Sequence, residues 1–191
     1  MLRIISQNII NYGIEVPDNT ILRINLAWCS SVKQLRNILE GHKNNSIFID
    51  LPIKRIKPPN NKYTLNDLIS VISSYNQIKY FAISNVESAN DLEDYIQKIP
   101  PNIILVPKIE SPIAIQNVSE IVNAIPTDEK ILMLDHDDLF SKIIKNNGVV
   151  DDFKKYIQKL VDYCNLNKII LLRTIGVIFS DEEKRISEYV K

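Results

Sequence analysis

Polar and charged side chains follow nearly every apolar run of this sequence. They are Arg23 and Asn25, Asp50, Ser84, Lys108 and Glu110, the acidic stretch 135–138, and Thr174. Within a strand, residues two apart share one face, so Lys108 and Glu110 point the same way. Carboxylates on adjacent strands are hard oxygen ligands typical of Mg²⁺ or Mn²⁺ sites. The sequence therefore predicts metal ligands at Glu110 and Asp138, with Lys108 beside them to bind an anion or assist proton transfer.

An alternative interpretation is that these side chains are ordinary ion pairs at strand ends. Each residue taken alone fits that interpretation at least as well. Because burying charge is costly unless the charge is paired or used, polar residues at six strand ends favour a site. The roles of Ser84, His136 and Asp137 stay open: His136 could be a base, a third metal ligand, or a histidine held by neighbouring acids.

Parallel strands would bring these residues to one edge. The apolar runs predict strands at 2–6, 21–27, 46–52, 80–86, 102–110, 130–139 and 168–179. Helical patterns lie at 31–42, 64–76, 88–99, 111–125 and 151–167, with a short helix at the end. This alternation predicts an α/β fold with a parallel sheet and helices outside it. A doubly wound sheet and a (βα)₈ TIM-barrel-like fold, complete or with about seven strands, both fit, and residues 1–191 are expected to form one domain.

Composition excludes several classes of protein. The 191 residues carry 23 basic and 23 acidic side chains, so no basic field favours nucleic acid or an anionic membrane. Two cysteines, Cys29 and Cys164, form no disulfide framework, and the first residues lack a secretory pattern, so we expect a cytoplasmic protein. With four glycines, neither a dinucleotide-binding G-x-G-x-x-G nor a Walker-type phosphate loop can be written.

Six segments, in order from about residue 21 to 176, resemble motifs of the pyruvate kinase family. LRINLA resembles the family's aRlNfSH strand, FIDLPIKRIK its DlpGPKiR segment, and FAISNVESANDL its aaSFVrsaeDv segment. VPKIESPIAIQNVSEIV resembles its sKIEn segment, MLDHDDL its vaRGDL segment, and KLVDYCNLNKIILLRT the strand that ends in aTQ. The resemblance implies the family's (βα)₈ domain, within the barrel superfamily that binds phosphoenolpyruvate and pyruvate.

The resemblance also implies roles for individual residues. Glu110 and Asp138 match the family's Mg²⁺ ligands. Lys108 and Arg23 match residues that contact the phosphate, and Thr174 matches a threonine that helps bind substrate. The implied ligand is phosphoenolpyruvate, pyruvate or a related 2-oxo acid, and the implied chemistry passes through a metal-bound enolate.

Departures from the family pattern are equally informative. Asn25 and Asp50 match ligands of potassium, but Ala27 and Trp28 replace the Ser-His that follows, so one potassium ligand is lost. Only the loop 53–63 stands where the family inserts its nucleotide-covering lid, and Asp137 replaces the glycine of RGD. Kinase activity is therefore doubtful.

Two other functions remain open. An HpcH/HpaI-type aldolase or lyase acting on pyruvate or oxaloacetate would use the same superfamily barrel and needs no nucleotide. A non-catalytic binding or assembly relative is the third hypothesis, with a second copy of the chain covering an open sheet edge.

Overall fold

Seven parallel strands form the framework of the protein in a computed structural model that describes residues 4–7, 15–55, 59 and 61–173. The strands are β1 (Ile4–Ser6), β2 (Ile21–Asn25), β3 (Ser46–Leu51), β4 (Ile78–Ile83), β5 (Ile104–Ile109), β6 (Ile131–Leu134) and β7 (Ile170–Arg173). They pair in sequence order from β1 to β7, and every pair is parallel. A doubly wound sheet reverses its strand order, so that alternative is excluded.

Helices connect most of the strands. They are α1 (Val32–Gly41), α2 (Leu65–Ser74), α3 (Glu93–Lys98), α4 (Pro112–Gln116), α5 (Val118–Ala124), α6 (His136–Lys145) and α7 (Val150–Leu166). Helix α2 begins with a capping box: the Thr64 hydroxyl accepts from the Asp67 backbone N–H, and the Asp67 carboxylate accepts from the Thr64 backbone N–H. The single helix predicted over 111–125 is instead two helices that meet at Asn117, whose side chain donates to the Glu87 carbonyl.

The two faces of the sheet are covered differently. The outer face packs against the helices, which contribute residues such as Leu35, Leu68 and Leu160 to the larger core. The inner face holds a second cluster made only of strand residues, with Phe48, Val106 and Met133 among them. Because no helix residue in the described ranges covers that cluster, the sheet buries it by curling. The result is a half-barrel of seven strands with helices outside.

Strand β6 is shorter than predicted. The sequence predicts a strand over 130–139, but the strand ends at Leu134 and α6 begins at His136. Asp135 stops the strand because its side-chain Oδ1 caps α6, accepting from the backbone N–H of Asp138 at 3.2 Å. The prediction of strand structure for 136–139 is therefore wrong, and Asp138 lies in the first turn of a helix.

Candidate functional site

A cavity of about 140 Å³ lies at the carboxyl ends of the strands. Its polar floor comes from strand ends: Asp50 lies near the end of β3, Ser84 directly follows β4, and Lys108 and Glu110 lie at the end of β5. Helix α6 contributes Asp138 and Lys142 to the wall. Residues two apart in a strand share one face, which explains this placement. Asp50, Ser84 and Lys108 each come two positions after a residue of the apolar inner cluster.

Lys108 is the centre of a buried ion-pair network. Its side chain is only 5% exposed. Its Nζ lies 2.9 Å from Glu110 Oε1, 3.5 Å from Asp50 Oδ1 and 3.9 Å from Asp135 Oδ2. Nζ also donates a hydrogen bond to Ser84 Oγ at 3.0 Å. Burial disfavours the ammonium, but Asp50 and Glu110 outweigh burial and raise the pKa of Lys108, so this lysine is a fixed cation.

Asp50 is held between two cations. Its Oδ2 accepts hydrogen bonds from Arg23, one of them from Nε at 3.1 Å, while Oδ1 faces Lys108. Burial opposes ionisation of this carboxyl group, but Lys108 and then Arg23 outweigh burial and lower its pKa. Arg23 is thereby committed to Asp50 on the inner face. Arg23 and Lys108 thus pair with both oxygens of Asp50. Binding of potassium by Asp50 and Asn25 stays a prediction.

Glu110 is held at both oxygens of its carboxylate. The side chain is 1% exposed, and Oε2 accepts from the backbone N–H of Asn85 at 2.8 Å. Oε1 is buried and forms an ion pair with Lys108 Nζ at 2.9 Å. Burial raises the pKa of Glu110 by more than Lys108 lowers it.

Three carboxylates lie close together at this end of the sheet. One oxygen each from Glu110, Asp135 and Asp138 lies within 4.8 Å of the others, close enough to hold one metal ion. Asp135 and Asp138 come together because they are three residues apart at the start of α6, which places them on one side of the helix.

Charged side chains of both signs surround the cavity. Those that line it are Lys54, Arg55, Lys108, Lys142, Lys145, Asp50, Glu110 and Asp138. The all-oxygen donor set of Glu110, Asp135 and Asp138 suits a hard cation.

The other predicted residues have different positions. Ser84 belongs to the network through Lys108, whereas Asn25 lines the cavity with its Oδ1 accepting from the Ala27 backbone N–H at 3.0 Å. His136 lies 3.1 Å from Arg173 and against Phe153, and it is not among the residues that line the cavity. Asp137 is exposed, and Thr174 lies outside the described residues.

Sequence reasoning missed Asp135, Asn85 and Lys142 as parts of this site. Asp135 stood among the strand-end polar residues, and the spacing from Asp135 to Asp138 is that of a helix N-cap, which could have identified it. Asn85 and Lys142 line the cavity, and the Lys142 Nζ donates to Asn85 Oδ1 at 2.6 Å. No spacing rule connects two residues 57 positions apart.

Fold and site together define a parallel α/β half-barrel with a charged cavity at the carboxyl ends of its strands and a group of three carboxylates there. No protein-family model and no curated protein matches the chain. Among solved structures, RipC from Yersinia pestis is similar, with a TM-score of 0.60 and 16% identity over 88% of this chain and 75% of that chain. At this identity the similarity shows the fold alone. No helix in the described part of the chain is both long and apolar enough to cross a membrane.

Proposed function

We propose that this protein is a pyruvate kinase-like (βα)₈ relative that binds Mg²⁺ or Mn²⁺ together with a 2-oxo acid or its enol phosphate. Glu110, Asp138 and Asp135 would hold the metal. The observation that carries the proposal is the convergence of Glu110, Asp135 and Asp138, which bring one oxygen each within 4.8 Å of the others. Lys108 pairs with Glu110 and lies 3.9 Å from Asp135, and a divalent cation could be shared by all three carboxylates.

The ligands that suit such a site are small anions with adjacent oxygens, in the class of pyruvate, oxalate and phosphoenolpyruvate. A divalent cation there would supply Lewis acidity, which favours forming an enolate from a 2-oxo acid. Lys108 would stabilise negative charge on the ligand as a permanent cation, because the surrounding carboxylates keep it protonated. Its raised pKa makes it a poor general base at neutral pH.

The size of the cavity favours lyase or aldolase chemistry over nucleotide-dependent kinase chemistry. The volume of about 140 Å³ is well below the roughly 300–1,000 Å³ of pockets that enclose larger ligands. Between β3 and α2 the chain has only residues 52–64, which leaves no room for a covering domain. Phosphoryl transfer depends on positioning the nucleotide and excluding water, so an enolate reaction without ADP fits this chain better.

Manganese binding tests the metal site. Electron paramagnetic resonance of free Mn²⁺ should show one ion bound per chain, displaced by Mg²⁺. Glu110→Gln and Asp138→Asn should each weaken binding at least about tenfold, since each removes a hard charged ligand. Asp137→Asn is the matched control: this exposed acid neighbours Asp138, and its loss should change the affinity less than about twofold. Unchanged binding in Glu110→Gln would exclude the proposed site.

Ligand chemistry is tested separately from metal binding. Calorimetry should show oxalate and pyruvate binding only when the metal is present. Deuterium exchange at the pyruvate methyl, followed by NMR in D₂O, should then reveal enolate formation, and consumption of oxaloacetate would identify a lyase. ATP formation from phosphoenolpyruvate and ADP would identify a kinase instead. Binding without exchange or turnover would indicate the non-catalytic relative.

A further inference from the structure

Asn85 occupies an unusual backbone conformation beside the cavity. It follows β4 and Ser84, and its φ is 56°, in the left-handed region that non-glycine residues rarely adopt. In that conformation its backbone N–H points at Glu110 and donates to Oε2 at 2.8 Å. Asparagine tolerates the left-handed region better than most residues, because its short polar side chain bonds nearby groups.

The side chain of Asn85 joins three segments of the half-barrel. Its Nδ2 donates to the Ile53 carbonyl at 2.7 Å, in the loop after β3. Its Oδ1 accepts from the Nζ of Lys142 in α6 at 2.6 Å, and that Nζ also lies 3.5 Å from Glu87 Oε1. The strained turn is therefore fixed from both sides by partners on separate elements.

We propose that Asn85 and Lys142 form a clamp that positions Glu110 as a metal ligand. This inference rests on the proposed metal site and adds positioning residues to it. The backbone N–H of Asn85 holds Oε2, and this contact fixes the orientation of a carboxylate that has one oxygen within 4.8 Å of oxygens of Asp135 and Asp138. Lys142 holds Asn85 in the conformation that makes this possible. Such outer partners commonly contribute tenfold or more to metal affinity.

Two substitutions at position 85 separate the backbone turn from the side chain. Asn85→Gly loses the side-chain contacts but accepts the left-handed backbone at no steric cost. Asn85→Val loses the same contacts, and its β-branched side chain strongly disfavours that backbone. In Mn²⁺ titrations, Asn85→Val should weaken binding about tenfold or more, and Asn85→Gly clearly less. Equal affinities in the two variants would overturn the role assigned to the turn.

Lys142→Met gives a test in which the loss of charge and the loss of positioning predict opposite changes in Mn²⁺ affinity. Removing a positive charge near a cation site should, by electrostatics alone, strengthen Mn²⁺ binding. The clamp predicts weaker binding, because Asn85 loses its partner on α6. Lys145→Met, an exposed lysine one turn further along α6, is the matched control and should show only the small electrostatic gain. Stronger or unchanged binding in Lys142→Met would overturn the clamp.

NMR of the metal-free protein distinguishes failure of the clamp from failure of the proposed function. The Asn85 amide proton, bonded to a carboxylate, should move upfield in Glu110→Gln, because the neutral amide oxygen is a weaker acceptor. If wild type binds no Mn²⁺ yet this shift occurs, the proposed metal function fails and the hydrogen bond of the clamp stands. An Asn85 amide that is insensitive to Glu110→Gln overturns the clamp, whatever the metal result.

Discussion

Lys108→Met should destabilise the protein strongly, because it leaves buried carboxylates without their shared cation. Lys108 is 5% exposed, and Asp50 and Glu110 are each 1% exposed. After the substitution Asp50 keeps Arg23, but Glu110 loses the one cation with which it pairs in the described part of the chain. Breaking a buried pair from one side costs about 3–5 kcal/mol. For a protein of this size, that corresponds to a fall in melting temperature of roughly 6–20 °C.

The sign of the pH dependence follows from Glu110. Burial already raises its pKa, and losing Lys108 raises it further. A carboxyl group whose pKa is higher in the folded state than in the unfolded state holds its proton more tightly when the protein is folded. Its ionisation therefore lowers the folding stability, and this loss is small at low pH and grows as the pH rises toward the folded-state pKa. The stability gap between wild type and Lys108→Met should therefore be larger at pH 8 than at pH 5.

Urea unfolding followed by circular dichroism at both pH values measures this gap. Lys79→Met is the matched control, since Lys79 is an exposed lysine in β4, and it should change the free energy of unfolding by less than about 0.5 kcal/mol. Adding Glu110→Gln to Lys108→Met removes the unpaired charge and should recover about 1 kcal/mol or more. A loss below about 1 kcal/mol at pH 8, or full additivity of the two substitutions, would refute the reasoning.

Two further predictions concern stability and thiol reactivity. Burial opposes ionisation of Asp91, but hydrogen bonds from the backbone N–H groups of Glu87 and Ser88 outweigh burial and lower its pKa. Asp91→Asn should therefore cost about 1 kcal/mol of stability at pH 7, and this cost should shrink as the pH falls through the lowered pKa. Urea unfolding at pH 7 and pH 3 measures the cost, and a cost that does not change with pH would contradict the prediction. Burial raises the pKa of Cys164 to about 11, and Cys29 is also buried, so Ellman's reagent should react with both thiols only after unfolding, and rapid labelling of the folded protein would contradict their burial.

The sequence predicts the sheet and the face on which the site lies. Because residues two apart in a strand share one face, the sequence correctly predicts that Lys108 and Glu110 lie together. The regular alternation of strands and helices also predicts a parallel sheet with helices outside it. The sequence pattern alone left a doubly wound sheet open, because the same alternation fits both topologies and only the pairing of the strands distinguishes them.

The two-residue repeat of a strand gives the wrong faces where the chain changes from strand to helix. Continued as a strand, residues 135–138 would send Asp137 to the inner face with Asp135 and turn Asp138 away from it. The helix begins at His136 instead, so the three-residue spacing brings Asp135 and Asp138 together and leaves Asp137 exposed. Asp138 thus lies in the acidic group for a reason that strand geometry does not supply. A cap that ends a strand early changes which acids face the cavity.

The clamp at Asn85 lies beyond what any local pattern encodes. A left-handed φ depends on partners that hold it, and those partners, the Ile53 carbonyl and Lys142, are 32 and 57 residues away in sequence. Local propensity makes asparagine acceptable at such a position without requiring the conformation there. The metal-ligand candidates follow from residue type and periodicity, whereas the orientation of Glu110 follows from tertiary contacts across three elements. The orientation of the acidic group therefore depends on contacts that no local sequence pattern reveals.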